Sequence, residues 1–316
     1  MYHLGKYCAA LAFAAVFMFS GCSPGSEPAA PGVLVSTQWL HDHLNDQDLI
    51  ILHSGTSEVY DSVHIPGARL INPYDFTVNT STNRNEMPPA DSIVKLLRMI
   101  GVNSDSQIVL YSENIGLLNR TARVFVALDH LGLGERTKVL NGGLSAWLEE
   151  GQERSDVLAE PAQGNLEVLN LKELVITAAE VDRQRWSSDV VLIDARSDEE
   201  YYGSPAGDGS LAEGGHIEGA YLLSYLNITL DDSPYLFRSD KELRELFQKA
   251  GTDSGKKTIF YCNSGIKGSL NYLSARHLGY PVLLYDGSFE EWEELGLPSI
   301  RPVALPHDDE QNTTYD

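Results

Sequence analysis

Residues 257–268 read KTIFYCNSGIKG, in which an apolar run rich in branched and aromatic side chains leads directly into a turn that contains glycine. A short apolar run of this kind predicts a strand that is buried on both faces. The spacing of apolar residues from Leu270 to Leu278 predicts a helix soon afterwards. A buried strand, a turn and a helix form the building unit of a parallel sheet, so the segment predicts the fold class α/β.

The pattern occurs a second time, because residues 107–112 read QIVLYS and match this strand at an offset of 150 residues. Three more pairs match in the same order: DLIILHSG (48–55) with DVVLIDAR (189–196), HIPGA (64–68) with HIEGA (216–220), and NG before Trp147 with DG before Trp292. Ordered matches at this period indicate a duplicated domain rather than a solenoid. The offset grows from 141 to 152 between the first two of these pairs, which places an insertion between Gly203 and Gly215.

Periodicity predicts the remaining elements of both halves. The predicted strands are 49–52, 108–111, 139–140, 190–193, 259–261 and 282–285, and the predicted helices are 92–100, 120–131, 241–250 and 270–278. Thr177 with Glu180 three residues later predicts a capping box that opens another helix. We therefore expect two α/β domains, each a parallel sheet flanked by helices.

Composition limits the class of protein. The chain has 316 residues, of which 42% are hydrophobic and 22% charged, and these values exclude a disordered, collagen-like or multi-span membrane protein. Its length suggests about two domains. The 45 acidic against 23 basic residues give a net charge of -22, so we expect no nucleic-acid partner. The nine histidines lack metal-ligand spacing, and we expect no metal site.

The first 22 residues have the layout of a secretory signal peptide, since Lys6 precedes an unbroken apolar run from Cys8 to Phe19. A transmembrane helix needs about 20 apolar residues, so this run is too short. Residues 19–22 read FSGC and resemble a bacterial lipobox, which would make Cys22 the lipidated first residue of the mature chain. An uncleaved anchor or a plain secretory signal is the alternative. We expect an exported protein that is lipid-anchored to the cell-envelope membrane, on its periplasmic or outer surface.

Export and lipidation would leave Cys262 as the one free thiol, at the end of a predicted strand. The N–H groups of a strand-to-helix turn create a positive potential, so we expect a lowered pKa for this thiol. Gly265 permits the backbone angles of such a turn, and Lys267 adds a cation. These features suit a nucleophilic thiolate that binds an anion or carries a charged sulfur adduct, whereas a buried inert cysteine is the alternative.

The first half lacks these features. Ser112 stands at the position of Cys262 and is followed by Glu113, and Gly55 stands at the position of Arg196. One copy that holds both the thiol and the arginine indicates one working site and one structural domain.

Together the motifs resemble those of the tandem-domain rhodaneses, the thiosulfate and 3-mercaptopyruvate sulfurtransferases. The resemblance runs from Val33 to Pro302 and rests on LIDAR (192–196), EEYYG (199–203), GHIEGA (215–220), the loop after residue 261, and YDGS (285–288) with Trp292. It implies two rhodanese-like domains, of which the first is inactive. It also implies that Cys262 accepts sulfane sulfur as a persulfide and passes it to cyanide or a thiol.

The resemblance also implies roles for the neighbouring residues. Backbone N–H groups along the loop would bind the charged sulfur; they belong to Asn263, Ser264, Gly265, Ile266 and Lys267. Arg196 would contact the anionic donor or, alternatively, anchor the loop through an acidic residue. No cofactor is implied.

The identity of the donor is less well defined. The loop resembles the 3-mercaptopyruvate type, but Glu200 and Glu86 stand where many of those enzymes carry an arginine and a histidine, and Lys267 replaces a threonine. The cation at Lys267 favours a dianion, so we expect thiosulfate, with 3-mercaptopyruvate as the alternative. A non-enzymatic binding or sulfur-relay module is a further alternative. A cysteine phosphatase would need an arginine where Gly268 stands.

The expected organisation follows from these assignments, with a monomer as the expected state. The segments are a signal peptide with lipobox (1–22), a flexible tether (23–32), an inactive rhodanese-like domain (33–151), a linker (152–174), a catalytic rhodanese-like domain (175–302) and an acidic tail (303–316).

Overall fold

The computed structural model describes Met1 and residues 32–168, 170–204 and 214–301. Residues 2–22 of the predicted signal peptide, with Cys22, nearly all of the tether, the acidic tail and most of the predicted insertion lie outside these residues. Every helix among the described residues is too short or too polar to cross a bilayer.

The first half forms a five-stranded parallel sheet with the strand order β1-β5-β4-β2-β3. Its strands are β1 (Leu34–Val35), β2 (Leu49–Ser54), β3 (Arg69–Ile71), β4 (Gln107–Ser112) and β5 (Thr137–Leu140). Its helices are α1 (Thr37–His43), α2 (Ser57–Ser62), α3 (Ala90–Met99), α4 (Leu118–His130) and α5 (Gly143–Glu149).

The second half repeats this architecture as a parallel sheet with the order β6-β11-β10-β7-β9. A separate antiparallel pair joins β8 to β12. The strands are β6 (Val175–Ile176), β7 (Val190–Asp194), β8 (His216–Ile217), β9 (Tyr221–Leu222), β10 (Lys257–Tyr261), β11 (Val282–Tyr285) and β12 (Ser299–Ile300). The helices are α6 (Ala178–Gln184), α7 (Asp198–Tyr202), α8 (Asp240–Lys249), α9 (Ile266–His277) and α10 (Ser288–Glu294).

Each sheet is buried on both faces because its central strands are apolar on both sides. In β2, Ile50 and Leu52 belong to a core cluster that both halves share, whereas Ile51 belongs to a cluster on the opposite face. In β7, Ile193 joins the shared cluster and Leu192 joins the outer cluster of the second half. The duplicated α/β fold predicted from the sequence is therefore confirmed.

The two halves share an interface in which α4 packs against α9. Asp129 of α4 is fully buried there and accepts hydrogen bonds from the Tyr272 hydroxyl and from Nε of Arg276, both at 2.9 Å. Lys172, between the two sheets in sequence, also donates to Asp129 at 2.9 Å. Apolar packing and buried charge thus join the halves along these two helices.

One helix boundary differs from the prediction in a way that matters for the site. Helix α9 begins at Ile266, four residues before the predicted start at Leu270. Gly265 is its N-cap, with φ of 78° in the left-handed region, which costs glycine little. The early start brings the N–H groups of Lys267 and Gly268 into the first helical turn, where backbone donors have no partner within the helix.

Candidate active site

Cys262 lies directly after β10 and is 1% exposed. Its backbone is fixed on both sides, since its N–H donates to Oγ of Ser288 at 3.1 Å and its carbonyl accepts from the N–H of Phe289 at 2.9 Å. The thiol is therefore held at the carboxyl edge of the second sheet, where parallel α/β folds place their ligands.

Three backbone donors surround the sulfur of Cys262. The N–H groups of Gly268, Ser264 and Lys267 hydrogen-bond to it, and the Lys267 ammonium adds positive charge. We use the term cradle for Cys262 together with these three backbone N–H groups. Gly268 was not among the donors inferred from the sequence, because the predicted helix began too late to include its N–H group.

The expectation of a lowered thiol pKa is wrong for the resting protein. Complete burial raises the pKa of Cys262 above its ordinary value, although the cradle N–H groups and the Lys267 charge oppose that shift. The sequence argument gave the N–H groups and the lysine the right direction of effect and missed the desolvation of a sulfur that water hardly reaches.

Ser288 organises the turn and was missed as a functional residue by sequence reasoning. Its Oγ accepts from the N–H of Cys262 and from the N–H of Gly265, both at 3.1 Å, and donates to the Tyr285 carbonyl at 2.8 Å. Ser288 is fully buried with φ of 55°, an uncommon conformation for a residue with a side chain. The available signal was its place directly after the repeated Asp-Gly motif, which supported the duplication and the family resemblance but was assigned no role in the site.

Two further predicted loop residues bind one carboxylate. Nδ2 of Asn263 donates to Glu200 at 2.7 Å, and Nζ of Lys267 lies 3.2 and 3.3 Å from the two carboxylate oxygens of Glu200. Asn263 is 1% exposed, so its side chain supports the loop from within the domain. Lys267 is thus a cation beside the cradle, as predicted, and it is paired with an anion. Ile266 is the first residue of α9 and is partly exposed.

Arg196 is fully buried and forms an ion pair with Asp194 of β7, with Nη2 and Oδ2 2.7 Å apart. The same Nη2 donates to the Gly215 carbonyl, and the guanidinium lies 4.0 Å from the centre of the Phe289 ring. Burial lowers the pKa of Arg196, but the charge and hydrogen bonds of Asp194 outweigh it, so the pKa is raised overall. These contacts fit the alternative role predicted for Arg196, in which it holds the local structure through an acidic residue. Contact between Arg196 and the sulfur donor remains a prediction.

The first domain reaches across to the cradle through residues 79–87, which we term the strap. Asn85 of the strap has φ of 58°, and its Nδ2 donates to Oγ of Ser264 at 2.9 Å. The N–H of Met87 donates to Oδ2 of Asp286 at 2.7 Å. The site is therefore built from both domains.

A buried ion pair lies behind the strap. Arg123 of α4 is 2.6 Å from Oδ1 of Asp286, and both side chains are almost completely buried. Arg123 also donates to the Asn85 carbonyl at 2.9 Å. Oδ1 of Asp286 would be 2.4 Å from a Cβ atom at Gly265, so a larger residue at that position would displace the pair.

Glu86 of the strap lies in the same charged environment. Its pKa is raised to about 7, first by burial and then by the negative charges of Asp286 and Glu291. A hydrogen bond from Asn83 and the charge of Arg123 act in the opposite direction. Glu86 is the position at which many 3-mercaptopyruvate enzymes carry a histidine, and it titrates here in the range of a histidine.

The corresponding place in the first domain is closed by an internal carboxylate. Glu113 follows Ser112 and accepts from the N–H and the hydroxyl of Thr56, at 2.6 and 2.9 Å. Burial lowers the pKa of the neighbouring His53 to about 4 despite the Glu113 charge. A site that holds a buried carboxylate on its own loop cannot present the same loop to an anion, in agreement with one working site in the second domain.

Comparison with known proteins identifies the same two units. The family model described as Rhodanese-like domain matches residues 36–150 and 177–295. A thiosulfate sulfurtransferase of Azotobacter vinelandii is 30% identical over 254 residues, covering 80% of this chain and 91% of the relative. A sulfur carrier protein of Thermus thermophilus is 29% identical over 296 residues, covering 85% and 97%. The crystal structure of a 3-mercaptopyruvate sulfotransferase from Escherichia coli has a TM-score of 0.70 at 24% identity, covering 81% of this chain and 98% of that chain, and shows the shared fold.

Proposed function

This chain belongs to the rhodanese family of sulfurtransferases, and we propose that it moves sulfane sulfur from thiosulfate to cyanide or a thiol through a persulfide on Cys262. The observation that carries the proposal is the cradle, in which three backbone N–H groups hydrogen-bond to one buried sulfur within the field of a lysine ammonium. Such donors stabilise negative charge that develops on a reacting sulfur.

The reaction has two steps, each of which conserves charge. In the first, the Cys262 thiolate attacks the outer sulfur of thiosulfate; a new S–S bond forms, the S–S bond of thiosulfate breaks, and sulfite leaves with the electron pair. In the second, cyanide attacks the terminal persulfide sulfur, thiocyanate leaves, and the thiolate is restored. A thiolate acceptor would take the sulfur in the same way and become a persulfide itself.

The cradle suits the persulfide better than the resting thiol. Burial opposes charge on Cys262 itself, and a persulfide places its charge one atom further out. The N–H groups of Lys267 and Gly268 act on the sulfur from the first turn of α9, that of Ser264 acts from the loop before the N-cap, and the helix end adds positive potential. The burial that raises the thiol pKa also protects the adduct from solvent.

The choice of thiosulfate rests mainly on the relatives, because a relative at 30% identity is a thiosulfate sulfurtransferase. The cation at Lys267 favours a dianion, but it is paired with Glu200, so its charge adds only weak support. The second candidate is 3-mercaptopyruvate, favoured by the serine and glycine that follow Asn263 in the loop and by the related fold of an enzyme for that donor. The two donors differ in charge, so a direct comparison of their rates distinguishes the candidates.

Steady-state thiocyanate formation from thiosulfate and cyanide tests the proposal. We expect turnover by the native chain, none by Cys262→Ser, and unchanged turnover by Ser112→Ala at the equivalent position of the first domain. Turnover by Cys262→Ser would place the chemistry elsewhere. A native chain that accepts neither thiosulfate nor 3-mercaptopyruvate would instead support a binding or relay module.

We further propose that the protein is exported and anchored by lipid on Cys22. The support is the FSGC sequence after an apolar run, in a chain whose net charge of -22 keeps its body in water. A single acyl chain binds membranes only marginally, so at least two chains are needed. Partition of the native chain into a detergent phase, lost in Cys22→Ala, is the expected result; equal partition of both would exclude the anchor.

A further inference from the structure

Glu200 connects the cradle to the helix that precedes it. The carboxylate accepts from the N–H of Ser197 at 3.0 Å, from Nδ2 of Asn263 at 2.7 Å, and from Nζ of Lys267 at 3.2 and 3.3 Å. Its contact with Ser197 is half of a capping box at the start of α7. The other two contacts are not needed for capping, because they join the helix to the loop that carries Cys262.

The charges of this group can be assigned from its surroundings. Burial raises the pKa of Glu200. Hydrogen bonds from Ser197 and Asn263 and the charge of Lys267 together lower it by a larger amount, so the pKa is below its ordinary value. Glu200 is therefore ionised at neutral pH. Its side chain is 7% exposed and that of Lys267 is 17% exposed, so solvent screens this pair less than a surface pair.

Lys267 acts on the cradle directly. Its backbone N–H hydrogen-bonds to Cys262 and its ammonium lowers the pKa of that thiol. An anionic donor that approaches the sulfur must enter the field of this ammonium. A carboxylate 3.2 Å from the same ammonium weakens that field.

We propose that Glu200 is a specificity-determining residue that cancels the charge of Lys267 beside the cradle and so sets the charge of the donor that the site accepts. The inference deepens the proposed sulfur transfer and rests on it for the identity of the donors. With Glu200 ionised, the site discriminates weakly between a dianion such as thiosulfate and a donor with one carboxylate. Without that charge, the site is less negative and favours the dianion more strongly.

The variant Glu200→Gln removes the charge and keeps the length of the side chain. Glutamine at this helix position also forms a capping box, with its one amide oxygen on the N–H of Ser197, whereas the contact from Asn263 is lost because the second carboxylate oxygen becomes an amino group. The matched control is Glu242→Gln, because Glu242 holds the same position in the capping box of α8, with Ser239 as its partner. A loss of stability from weaker capping alone appears in both variants.

The experiment measures kcat/KM for thiosulfate and for 3-mercaptopyruvate in the full chain and in four variants: Glu200→Gln, Lys267→Gln, the double variant and the control. We expect Glu200→Gln to raise the ratio of kcat/KM for thiosulfate to that for 3-mercaptopyruvate by about fivefold or more, mainly through KM, since the loss of a negative charge near the sulfur attracts the dianion more strongly. Lys267→Gln lowers this ratio. In the double variant the effect of Glu200→Gln disappears, because the ammonium of Lys267, through which Glu200 acts, is absent.

A second measurement does not depend on either donor. Iodoacetate and iodoacetamide alkylate the same thiolate and differ by one negative charge. We expect the ratio of their rates at Cys262 to rise by about threefold or more in Glu200→Gln and to fall in Lys267→Gln. If neither donor turns over and this ratio still shifts, the proposed function fails and the charge effect stands. If Glu200→Gln leaves the alkylation ratio unchanged, or matches Glu242→Gln, the inference is overturned.

Discussion

The hydroxyl oxygen of Ser288 lies 3.1 Å from the backbone nitrogen of Cys262 and accepts its N–H. The same oxygen accepts the N–H of Gly265, so one side chain holds both ends of the loop that bears the thiol. It is itself aligned by donation to the Tyr285 carbonyl. The first residue of α10 thus fixes the shape of the cradle without touching the sulfur.

Ser288→Ala should loosen the loop. Two buried N–H groups lose their acceptor, and each unsatisfied group costs about 1–3 kcal/mol, so we expect the free energy of unfolding to fall by about 2 kcal/mol or more. The rate of sulfur loading should fall by about tenfold as the cradle donors lose their positions. Urea denaturation and stopped-flow loading by thiosulfate measure the two effects.

Ser288→Gly is the control, because it removes the same hydroxyl and also relieves the positive φ of 55°. Its unfolding free energy should exceed that of Ser288→Ala while its loading rate stays low. Full loading activity in either variant would show that the hydroxyl does not position the cradle.

The pair of Arg123 and Asp286 should contribute strongly to the docking of the two domains. Asp286→Asn leaves a guanidinium buried without a counter-ion, which typically costs about 3–5 kcal/mol. Arg123→Met leaves the buried carboxylate of Asp286 without its counter-ion, at a similar cost. The double variant should be more stable than the sum of the two single effects predicts, as measured by denaturation of all four proteins. Simple additivity would contradict the assignment.

Glu86 predicts a pH dependence of stability with a definite sign. The folded protein raises the pKa of this carboxyl from 4.5 to about 7, so the folded state holds the proton more tightly. The stability that this provides is complete below about pH 4.5 and is lost as the pH rises through 7. Glu86→Gln removes the titration and should be more stable than the native chain at pH 8, by about 1 kcal/mol because solvent screens a half-exposed group.

Thermal unfolding of the native chain and Glu86→Gln between pH 5 and pH 8 checks this expectation. Glu58→Gln, at an exposed residue of α2, is the matched control and should follow the native curve. If the native chain and Glu86→Gln lose stability in parallel as the pH rises, Glu86 is not the titrating group.

The resting thiol should titrate above the range of an ordinary cysteine. Burial raises the pKa of Cys262, so its rate of alkylation by iodoacetamide should have a midpoint at higher pH than that of a free cysteine. The same residue in the urea-denatured chain is the reference. A midpoint below this reference would mean that the cradle donors outweigh desolvation.

The repeated motifs were enough to predict the fold. Runs such as 49–52 and 259–261 could be identified as strands because they are apolar on both faces, and the structure confirms them. Two-residue strands such as β1 and β6 carry too little pattern to be recognised. The start of α9 was misplaced because Gly265 begins the helix from a left-handed conformation, which apolar periodicity does not report.

The candidate site was predictable only in part. Cys262 follows from its place after a buried strand, and the asymmetry with Ser112 indicates which half carries the site. Lys267 pairs with Glu200, which lies 67 residues away in the sequence, so no local sequence pattern predicts the contact. The thiol pKa depends on how completely water is excluded, which is a property of packing rather than of any motif.

The central claim is that Cys262 carries the transferred sulfur as a persulfide, and intact-mass measurement tests it most directly. The native chain is treated with thiosulfate, then with cyanide, beside Cys262→Ser. We predict a gain of about 32 Da that maps to Cys262, that cyanide removes, and that the variant does not acquire. An unchanged mass after both thiosulfate and 3-mercaptopyruvate, with Cys262 still open to alkylation, would contradict the account.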